Sequence, residues 1–335
     1  MQTIEPIATA LARVNVAYQM ADQGEFDYQL FQQFGMSLRG PAWSADDPAD
    51  LNIVGSERVF GRFIVNHLCL ELQDKHGIVA RNIGFSGCTP SVIIQNEALM
   101  DYLKTSTAIP VIQLCAADGG ASDWYLPRSS RRVSLTLEGV RTENKKLIRN
   151  ILRKHRENVF LYAEKHGMRR RELRDMMRDD VESLPAEIPV GTKARAGHLL
   201  FAIQETQTAA DCLVQMRKTQ AWSLDIYKRI IDVLDREVIL LSMFTKDMTT
   251  LDENNFIYHA LNFPQLVDGA FCESIRGLFS HTIETRELVG ERYKKPNEER
   301  AFNLQYPTAE MHALSASRIA DWYRSRPGAP DNNAK

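Results

Sequence analysis

Short apolar segments in the first part of this chain are each followed by polar and glycine residues. Residues 55–58 (GSER) follow the first segment, residues 82–89 (NIGFSGCT) end the second, and residues 116–120 (AADGG) follow the third. Serine, carboxylate and arginine side chains are the groups that proteins use for nucleophilic attack, proton transfer and anion binding. These three stretches are therefore the first candidates for a functional site.

A fourth candidate, His312, lies in the first turns of the last predicted helix. In an open parallel sheet, ligands bind beyond the carboxyl ends of the strands. If the apolar segments form such a sheet, Ser56, Gly87, Asp118 and His312 meet in one pocket although they are far apart in the chain. We predict these residues, together with Glu57, as the catalytic set.

The apolar segments have the length of buried strands, and helical patterns alternate with them. The apolar segments are 51–54, 78–83, 109–115 and 238–244, with a short fifth strand at 278–281, and the helical patterns include 60–73, 90–103, 263–277 and 308–324. Apolar runs that end in glycine and precede a helix are typical of a parallel sheet with crossover helices. The sequence therefore predicts an α/β fold.

The chain divides into a core and an insertion. Residues 1–50 form a lead-in, and residues 51–140 and 237–325 form the α/β core. Residues 141–236 show no strand pattern and predict three or four charged amphipathic helices, inserted between the third and fourth strands. We expect this insertion to cover the site, and residues 326–335 to form a flexible tail.

Composition excludes several classes of function. Lys and Arg number 41 against 43 Asp and Glu, a net charge of −2, so no basic surplus points to nucleic acid. No run of about 18 apolar residues predicts a membrane span, and the N-terminus lacks the pattern of a signal peptide. The five scattered cysteines have no zinc spacing, which predicts reduced thiols, a cytoplasmic location and no metal or other cofactor.

The order of these motifs resembles the SGNH/GDSL hydrolase superfamily. Residues 82–87 (NIGFSG) match the pattern NxGxSG of its second motif in full. Residues 55–61 (GSERVFG) are similar to its first motif GDSxTxG, residues 115–118 (CAAD) to its third motif GxND, and residues 309–312 (AEMH) to the DxxH before its final helix. The resemblance implies a three-layer flavodoxin/SGNH-like parallel sheet with a large helical insertion between strands three and four.

Longer stretches resemble a bacterial family of unknown function that has an SGNH-like core. They are residues 26–41 (FDYQLFQQFGMSLRGP), 53–63 (IVGSERVFGRF) and 113–125 (QLCAADGGASDWY). This closer resemblance covers most of the chain outside the insertion, and it implies no particular activity.

The superfamily resemblance implies an esterase or O-acyltransferase that acts on a saccharide or another polar acyl ester, for example in polysaccharide biosynthesis. Ser56 would attack the acyl carbon, and His312 would move the proton. The backbone N–H groups of Ser56 and Gly87 would hold the oxyanion.

Three positions depart from the superfamily pattern. By strict register Glu57 holds the place of the nucleophile, Ala117 that of the asparagine and Ala309 that of the aspartate. Losing an asparagine donor typically costs about 2.7–4 kcal/mol of transition-state stabilisation. Standard ester hydrolysis is therefore in doubt.

These departures lead to a second hypothesis, a non-hydrolytic relative that binds or transfers an anionic ligand. Ser56, Gly87 and Arg131 would then hold a phosphate or sulfate group. A third hypothesis is a scaffold that self-associates through its helical insertion. Taken together, the three hypotheses predict two kinds of partner: a small-molecule or saccharide substrate, and a second copy of the chain in a homo-oligomer.

Each catalytic candidate also has a structural interpretation. Ser56 is a common helix N-cap residue, and Glu57 suits the first turn of a helix, although it could instead pair with His312. Asp118 precedes two glycines and equally fits a turn. His312 lies on the apolar face of the final helix, where it is either a general base or a hydrogen-bonded core residue.

Six further residues are predicted to contact the substrate: Arg58, Asn82, Ser86, Trp124, Arg128 and Arg131. Arginines next to aromatic residues suit phosphate, sulfate or an acidic sugar, and a solvated loop is the alternative for residues 128–132. Cys88 and Cys115 lie beside the same rim, either as a thiolate nucleophile or as buried, inert thiols.

Overall fold

The computed structural model describes residues 26–117, 125–129, 132–135, 208–244, 248–249, 251–261, 263–286, 293–294, 301–302 and 307–327. Most of the predicted helical insertion and of the predicted tail lies outside the described residues. The predicted site residues Asp118, Trp124 and Arg131 also lie outside them.

The described strands form one central sheet and three antiparallel pairs. In chain order they are β1 (Phe31–Gln33), β2 (Met36–Leu38), β3 (Leu51–Gly55), β4 (Ala80–Gly84), β5 (Ile109–Gln113), β6 (Tyr125–Ser129), β7 (Arg132–Leu135), β8 (Ile239–Met243), β9 (His281–Thr285), β10 (Tyr293–Lys294) and β11 (Ala301–Phe302). The antiparallel pairs are β1–β2, β6–β7 and β10–β11.

The described helices connect and cover the central strands. They are α1 (Glu57–Phe60), α2 (Leu68–His76), α3 (Pro90–Gln95), α4 (Glu97–Thr105), α5 (Ala209–Leu234), α6 (Phe256–Leu261), α7 (Gly269–Arg276) and α8 (Ala309–Ser325). None of these helices, within the part of the chain that is described, has both the length and the apolar character needed to cross a bilayer.

The central sheet has five strands in the order β4-β3-β5-β8-β9, and every neighbouring pair is parallel. The predicted α/β class is thus confirmed. Numbered along the sheet's own strands, this is the order 2-1-3-4-5, which flavodoxin-like folds share. The order reverses direction between β3 and β5, and the carboxyl ends of the strands at such a reversal are where ligands bind in open α/β sheets.

Side chains alternate between the two faces of this sheet, as the pleat of a strand requires. Ile53, Val111 and Leu241 belong to a core shared with α2 and α8. Val54 and Ile112 belong to a second core on the opposite face, shared with α3, α4, α5 and α7. Each fully buried side chain of this kind contributes about 1.5–3 kcal/mol, so helices are held on both faces.

Contacts at helix ends move several element boundaries away from the predicted ones. Residues 60–73 were predicted as one helix, but Gly61 (φ +71°) ends α1 and α2 begins only at Leu68. Residues 90–103 form two helices because the side chain of Asn96 accepts a hydrogen bond from Leu99 N (3.0 Å) and starts a new helix. The strand predicted from 78 begins two residues later, since Ile78 N is bonded to Leu72 O (3.2 Å) at the end of α2.

The last part of the predicted insertion is one helix, α5, which packs on the core. The helical patterns of the sequence, at residues 196–218 and 222–236, predict a break near residue 220, whereas α5 runs without interruption for 26 residues. The fully buried carboxylate of Asp268, at the start of α7, accepts hydrogen bonds from Gln220 Nε2 (3.0 Å) and Arg217 Nη1 (3.1 Å). This polar contact fixes α5 against α7 on one face of the sheet.

The short helix α1 lies directly on the ends of β3 and β4, because glycines leave room for it. A Cβ atom on Gly84 would lie 2.1 Å from Phe60 N, and one on Gly55 would lie 2.4 Å from Gln113 Oε1. Backbone atoms cannot yield as a side-chain end can, so only glycine fits at position 84. These glycines therefore determine where Ser56, Glu57 and Arg58 are placed.

We predict that Gly84→Ala destabilises the protein by more than about 3 kcal/mol, because the added methyl group must displace the backbone of α1. Gly277→Ala is the control: its Cβ would have no neighbour closer than 3.8 Å. The control should change stability by less than about 1 kcal/mol. Urea unfolding of both variants measures the difference, and equal midpoints would show that α1 does not depend on this close approach.

Candidate functional site

Ser56 lies at the carboxyl end of β3, at the point where the strand order reverses. Its backbone N–H and its hydroxyl both donate to Gln113 Oε1, at 2.8 and 3.0 Å. Its Oγ also accepts a weak hydrogen bond from Arg58 N (3.5 Å), as the N-cap of α1. The side chain is buried, and its proton is directed to Gln113 rather than to an imidazole.

Gln113 is a residue of this site that sequence reasoning missed. It ends β5, it is completely buried, and its carbonyl oxygen accepts both hydrogen bonds from Ser56. Its Nε2 has no hydrogen-bond partner among the residues that the structure describes. The signal in the sequence was a single polar residue inside the apolar run 109–115. It was counted as part of the predicted strand and not as a site residue.

Glu57 and Ser86 form a second pair at the same edge. Ser86 Oγ donates to Glu57 Oε1 at 2.9 Å, and both residues are buried. The pair joins α1 to the turn that follows β4. No hydrogen bond links Glu57 to His312, both of them described residues, although this was the alternative pairing predicted for the carboxylate.

Gly87 lies in a tight turn after β4. Its φ of +87° falls in the left-handed region, and Cys88 N donates to Phe85 O (3.2 Å) across the turn. A residue with a Cβ atom is strained in this conformation, which accounts for glycine here without a catalytic role. Whether its N–H binds an oxyanion remains a prediction.

Asn82 and Arg58 both make contacts within the protein. Asn82 Nδ2 donates to Val59 O (3.0 Å), and its Oδ1 accepts from Gly84 N (2.9 Å). Arg58 is buried, donates to Met243 O (2.8 Å) at the end of β8, and lies 4.2 Å from the ring centre of Phe263. Arg58 thus spans the carboxyl edge from β3 to β8.

His312 is fully buried in the first turns of α8. Its Nδ1 accepts a hydrogen bond from Leu68 N (3.0 Å), so the imidazole caps the first residue of α2. The hydrogen atom therefore lies on Nε2, which has no partner in the described part of the chain. Burial, together with the charges of Arg39 and Arg58, lowers the pKa of His312 to about 3, so the ring is neutral.

The remaining predicted residues are not tested by this geometry. Asp118, Trp124 and Arg131 lie outside the described residues, and Arg128 belongs to β6 with no described side chain. Cys88 and Cys115 carry buried free thiols, as do the other cysteines. Burial raises the pKa of Cys88 well above its ordinary value, which disfavours a thiolate.

A separate cleft of about 190 Å³ lies along β4, the edge strand of the sheet. Its lining includes Arg39, Trp43, Asp47, His67, Arg81 and Asn82. The guanidinium groups there are bonded to the protein: Arg39 donates to Phe60 O (3.3 Å) and Ile64 O (2.6 Å), and Arg81 donates to Ala45 O (3.3 Å). Among the residues that the structure describes, no cluster of three or more His, Cys, Asp or Glu could hold a metal ion.

Comparisons of this chain with models of protein families, with curated proteins and with solved structures gave no match. The likeness to the SGNH/GDSL superfamily therefore depends on the motifs and remains a prediction. The strand order, and the position of the first two motifs at the carboxyl ends of neighbouring parallel strands, are properties of the structure itself.

We predict that stability falls as the pH drops below about 6.5, the pKa of an unperturbed histidine. In the folded state burial lowers the pKa of His312 to about 3 and that of His67 well below its ordinary value. The unfolded chain therefore binds more protons in this range, and each histidine costs up to about 1.4 kcal/mol per pH unit. The full stability is present above pH 6.5.

Urea unfolding between pH 4 and 8 measures this dependence, and His312→Asn is the variant that isolates one histidine. The Oδ1 atom of the introduced asparagine can still accept from Leu68 N but does not titrate, so the slope should fall by up to about 1.4 kcal/mol per pH unit. His281→Asn, at an exposed position, is the control. An unchanged slope in His312→Asn would contradict a neutral, buried imidazole.

Proposed function

We propose that this chain is a non-hydrolytic, SGNH-like protein that binds or transfers an anionic ligand at the carboxyl edge of its central sheet. The observation that carries this proposal is that the motif residues are hydrogen-bonded to other parts of the protein. Ser56 and Asn82 use their hydrogen-bonding atoms in structural contacts within the protein, and Nδ1 of His312, the acceptor nitrogen of the ring, is bonded to Leu68 N. The same edge is rich in buried guanidinium groups and hydrogen-bond donors.

Among the described residues, no general base is placed to remove the proton of Ser56. A general base must lie within hydrogen-bond reach, about 2.6–3.2 Å, of the proton that it removes. The Ser56 hydroxyl donates to Gln113, and the only nitrogen of His312 with a free electron pair is already bonded to Leu68 N. Ala117, in place of an asparagine donor, removes a further part of the hydrolytic machinery.

The charges around α1 support an anion instead. Three guanidinium groups, those of Arg39, Arg58 and Arg62, are buried on or beside this helix, against one buried carboxylate, that of Glu57. This count covers the described residues. Guanidinium groups bind phosphate and sulfate through short, charge-assisted hydrogen bonds, so the three around α1 favour a ligand that carries such a group.

The second candidate function is the esterase or O-acyltransferase activity on a saccharide or other polar acyl ester. Two features favour it: Ser56 lies at the end of β3, and the turn at Gly87 lies at the end of the neighbouring strand β4. In this case Gln113 must release the N–H and the hydroxyl of Ser56 before a substrate carbonyl can take its place. Self-association through the insertion, and a cytoplasmic location, also remain proposals.

We predict that sugar phosphates, nucleotides or sulfated nucleotides raise the melting temperature, whereas sodium chloride at equal ionic strength does not. A ligand at 100 times its Kd stabilises the folded state by about 2.7 kcal/mol. Arg58→Gln should weaken binding at least about tenfold, because it removes a charge-assisted contact. Arg324→Gln, the same change at an exposed position near the end of α8, is the control.

The same protein is tested with p-nitrophenyl acetate and with acyl-CoA plus sugar acceptors, where we expect no turnover. Turnover that disappears in both Ser56→Ala and His312→Ala would replace the anion-binding proposal with the acyl-transfer one. If no anion raises the melting temperature above the chloride control, the anion-binding proposal is wrong.

A further inference from the structure

Two fully buried side chains at the carboxyl edge each have a hydrogen-bond donor without an acceptor among the described residues. They are the Nε2 amide group of Gln113 and the Nε2 of His312, and both residues have no exposed surface. A buried donor without a partner costs about 1–3 kcal/mol, so two of them in one region require an explanation.

The structure determines that both atoms are donors. Gln113 Oε1 accepts two hydrogen bonds from Ser56, so exchanging the oxygen and nitrogen of the amide would bring donors against donors. His312 Nδ1 accepts from Leu68 N, so the hydrogen of the neutral ring lies on Nε2. Neither donor can become an acceptor without breaking a contact that the fold uses.

Both donors lie on the α8 side of the sheet, at its carboxyl end. Residues 109, 111 and 113 of β5 share one face, and the first two of these side chains pack with those of α8. A Cβ atom on Gly55 would touch both Gln113 Oε1 (2.4 Å) and Val59 Cγ2 (2.5 Å). Val59 in turn belongs to the same core as Leu68 and Met311, which adjoin His312.

Two buried guanidinium groups, those of Arg39 and Arg58, lie near His312. The guanidinium group of Arg58, which follows Ser56 by two residues, is buried beside the end of β8. Burial lowers the pKa of His312, and the charges of Arg39 and Arg58 lower it further. The nearby carboxylate of Glu57 already accepts from Ser86.

We propose that Gln113 Nε2 and His312 Nε2 donate to the oxygen atoms of one oxyanion, a phosphate, sulfate or carboxylate group, in the field of Arg58. This assignment rests on the proposed function, and it names the two side chains that donate hydrogen bonds to its ligand. An oxyanion accepts hydrogen bonds at every oxygen and donates none when fully ionised, which matches a site built from donors. A buried water molecule is the competing occupant, and the test separates the two.

The test measures the dissociation constants of inorganic phosphate, sulfate and acetate by thermal shift and calorimetry, with chloride at equal ionic strength as the reference. Gln113→Glu retains an oxygen for the two Ser56 contacts but turns the free donor into an acceptor. His312→Asn retains an acceptor for Leu68 N but removes the Nε2 hydrogen. We expect each variant to weaken the tightest of the three anions at least about tenfold.

Gln73→Glu and His281→Asn make the same chemical changes at exposed positions and should leave the dissociation constants within about twofold. If Gln113→Glu does not fold, His312→Asn decides alone, together with the imidazole nitrogen signals of protein labelled with ¹⁵N-histidine. The Nε2 signal of His312 should move on saturation with the anion.

The outcomes distinguish this inference from the proposed function. If an anion binds equally well to the wild type and to both folded variants, the protein binds anions elsewhere, and only the present assignment is wrong. If none of the three anions nor any phosphorylated or sulfated ligand binds more tightly than chloride, both proposals are wrong, and water is the occupant.

Discussion

The amide of Gln113 connects the turn after β3 to the end of β5, at the point where the order of the central sheet reverses. Its oxygen accepts from the N–H and the hydroxyl of Ser56, and a side chain on Gly55 would collide with it. The start of α1 is therefore fixed relative to β5 as well as to β3. The directions of Glu57 and Arg58, one toward Ser86 and the other toward β8, follow from that position.

His312 connects α8 to α2, the two helices on one face of the sheet, as Gln113 connects β5 to the turn after β3. Its Nδ1 supplies the acceptor that the first N–H of α2 needs, because the side chain of the N-cap residue His67 makes no capping hydrogen bond. A histidine on an apolar helix face is thus used as a cap for a different helix. Burial, together with the charges of Arg39 and Arg58, lowers the pKa of His312, so the ring is neutral and can accept from Leu68 N.

The apolar runs predicted the strands of the central sheet because buried parallel strands are apolar along their length, a local property of the sequence. Helix boundaries were less predictable. The break after Gly61 depends on Arg39, which binds carbonyl groups on both sides of it, and no pattern within residues 60–73 contains that contact. The middle of α5 likewise bonds to Asp268, about 50 residues away in the chain, a contact that no local pattern contains.

The motifs predicted which residues lie at the carboxyl edge, but their bonding could not be read from the sequence. Ser56, Ser86 and Gly87 lie where the strand ends place them, as parallel topology requires. The partners that decide the chemistry of Ser56 and His312 come from elsewhere: Gln113, which bonds to Ser56, belongs to a third strand, and Leu68, which bonds to His312, belongs to a helix on one face. Hydrogen-bond partners distant in the chain carry no periodic signal, so they become visible only in the folded structure.

Arg39 ties the lead-in to the core of the protein through contacts that its short strands do not make. Its buried guanidinium group donates to backbone oxygens of Phe60, Gly61, Ile64 and Val65, and it lies 5.1 Å from the ring centre of Tyr28. A protein fragment trimmed to begin at residue 51 would leave those oxygens in an apolar environment without their donor. Residues 26–48 therefore belong inside any minimal folding unit, and a protease that cleaves between Arg39 and β3 should loosen the segment joining α1 to α2.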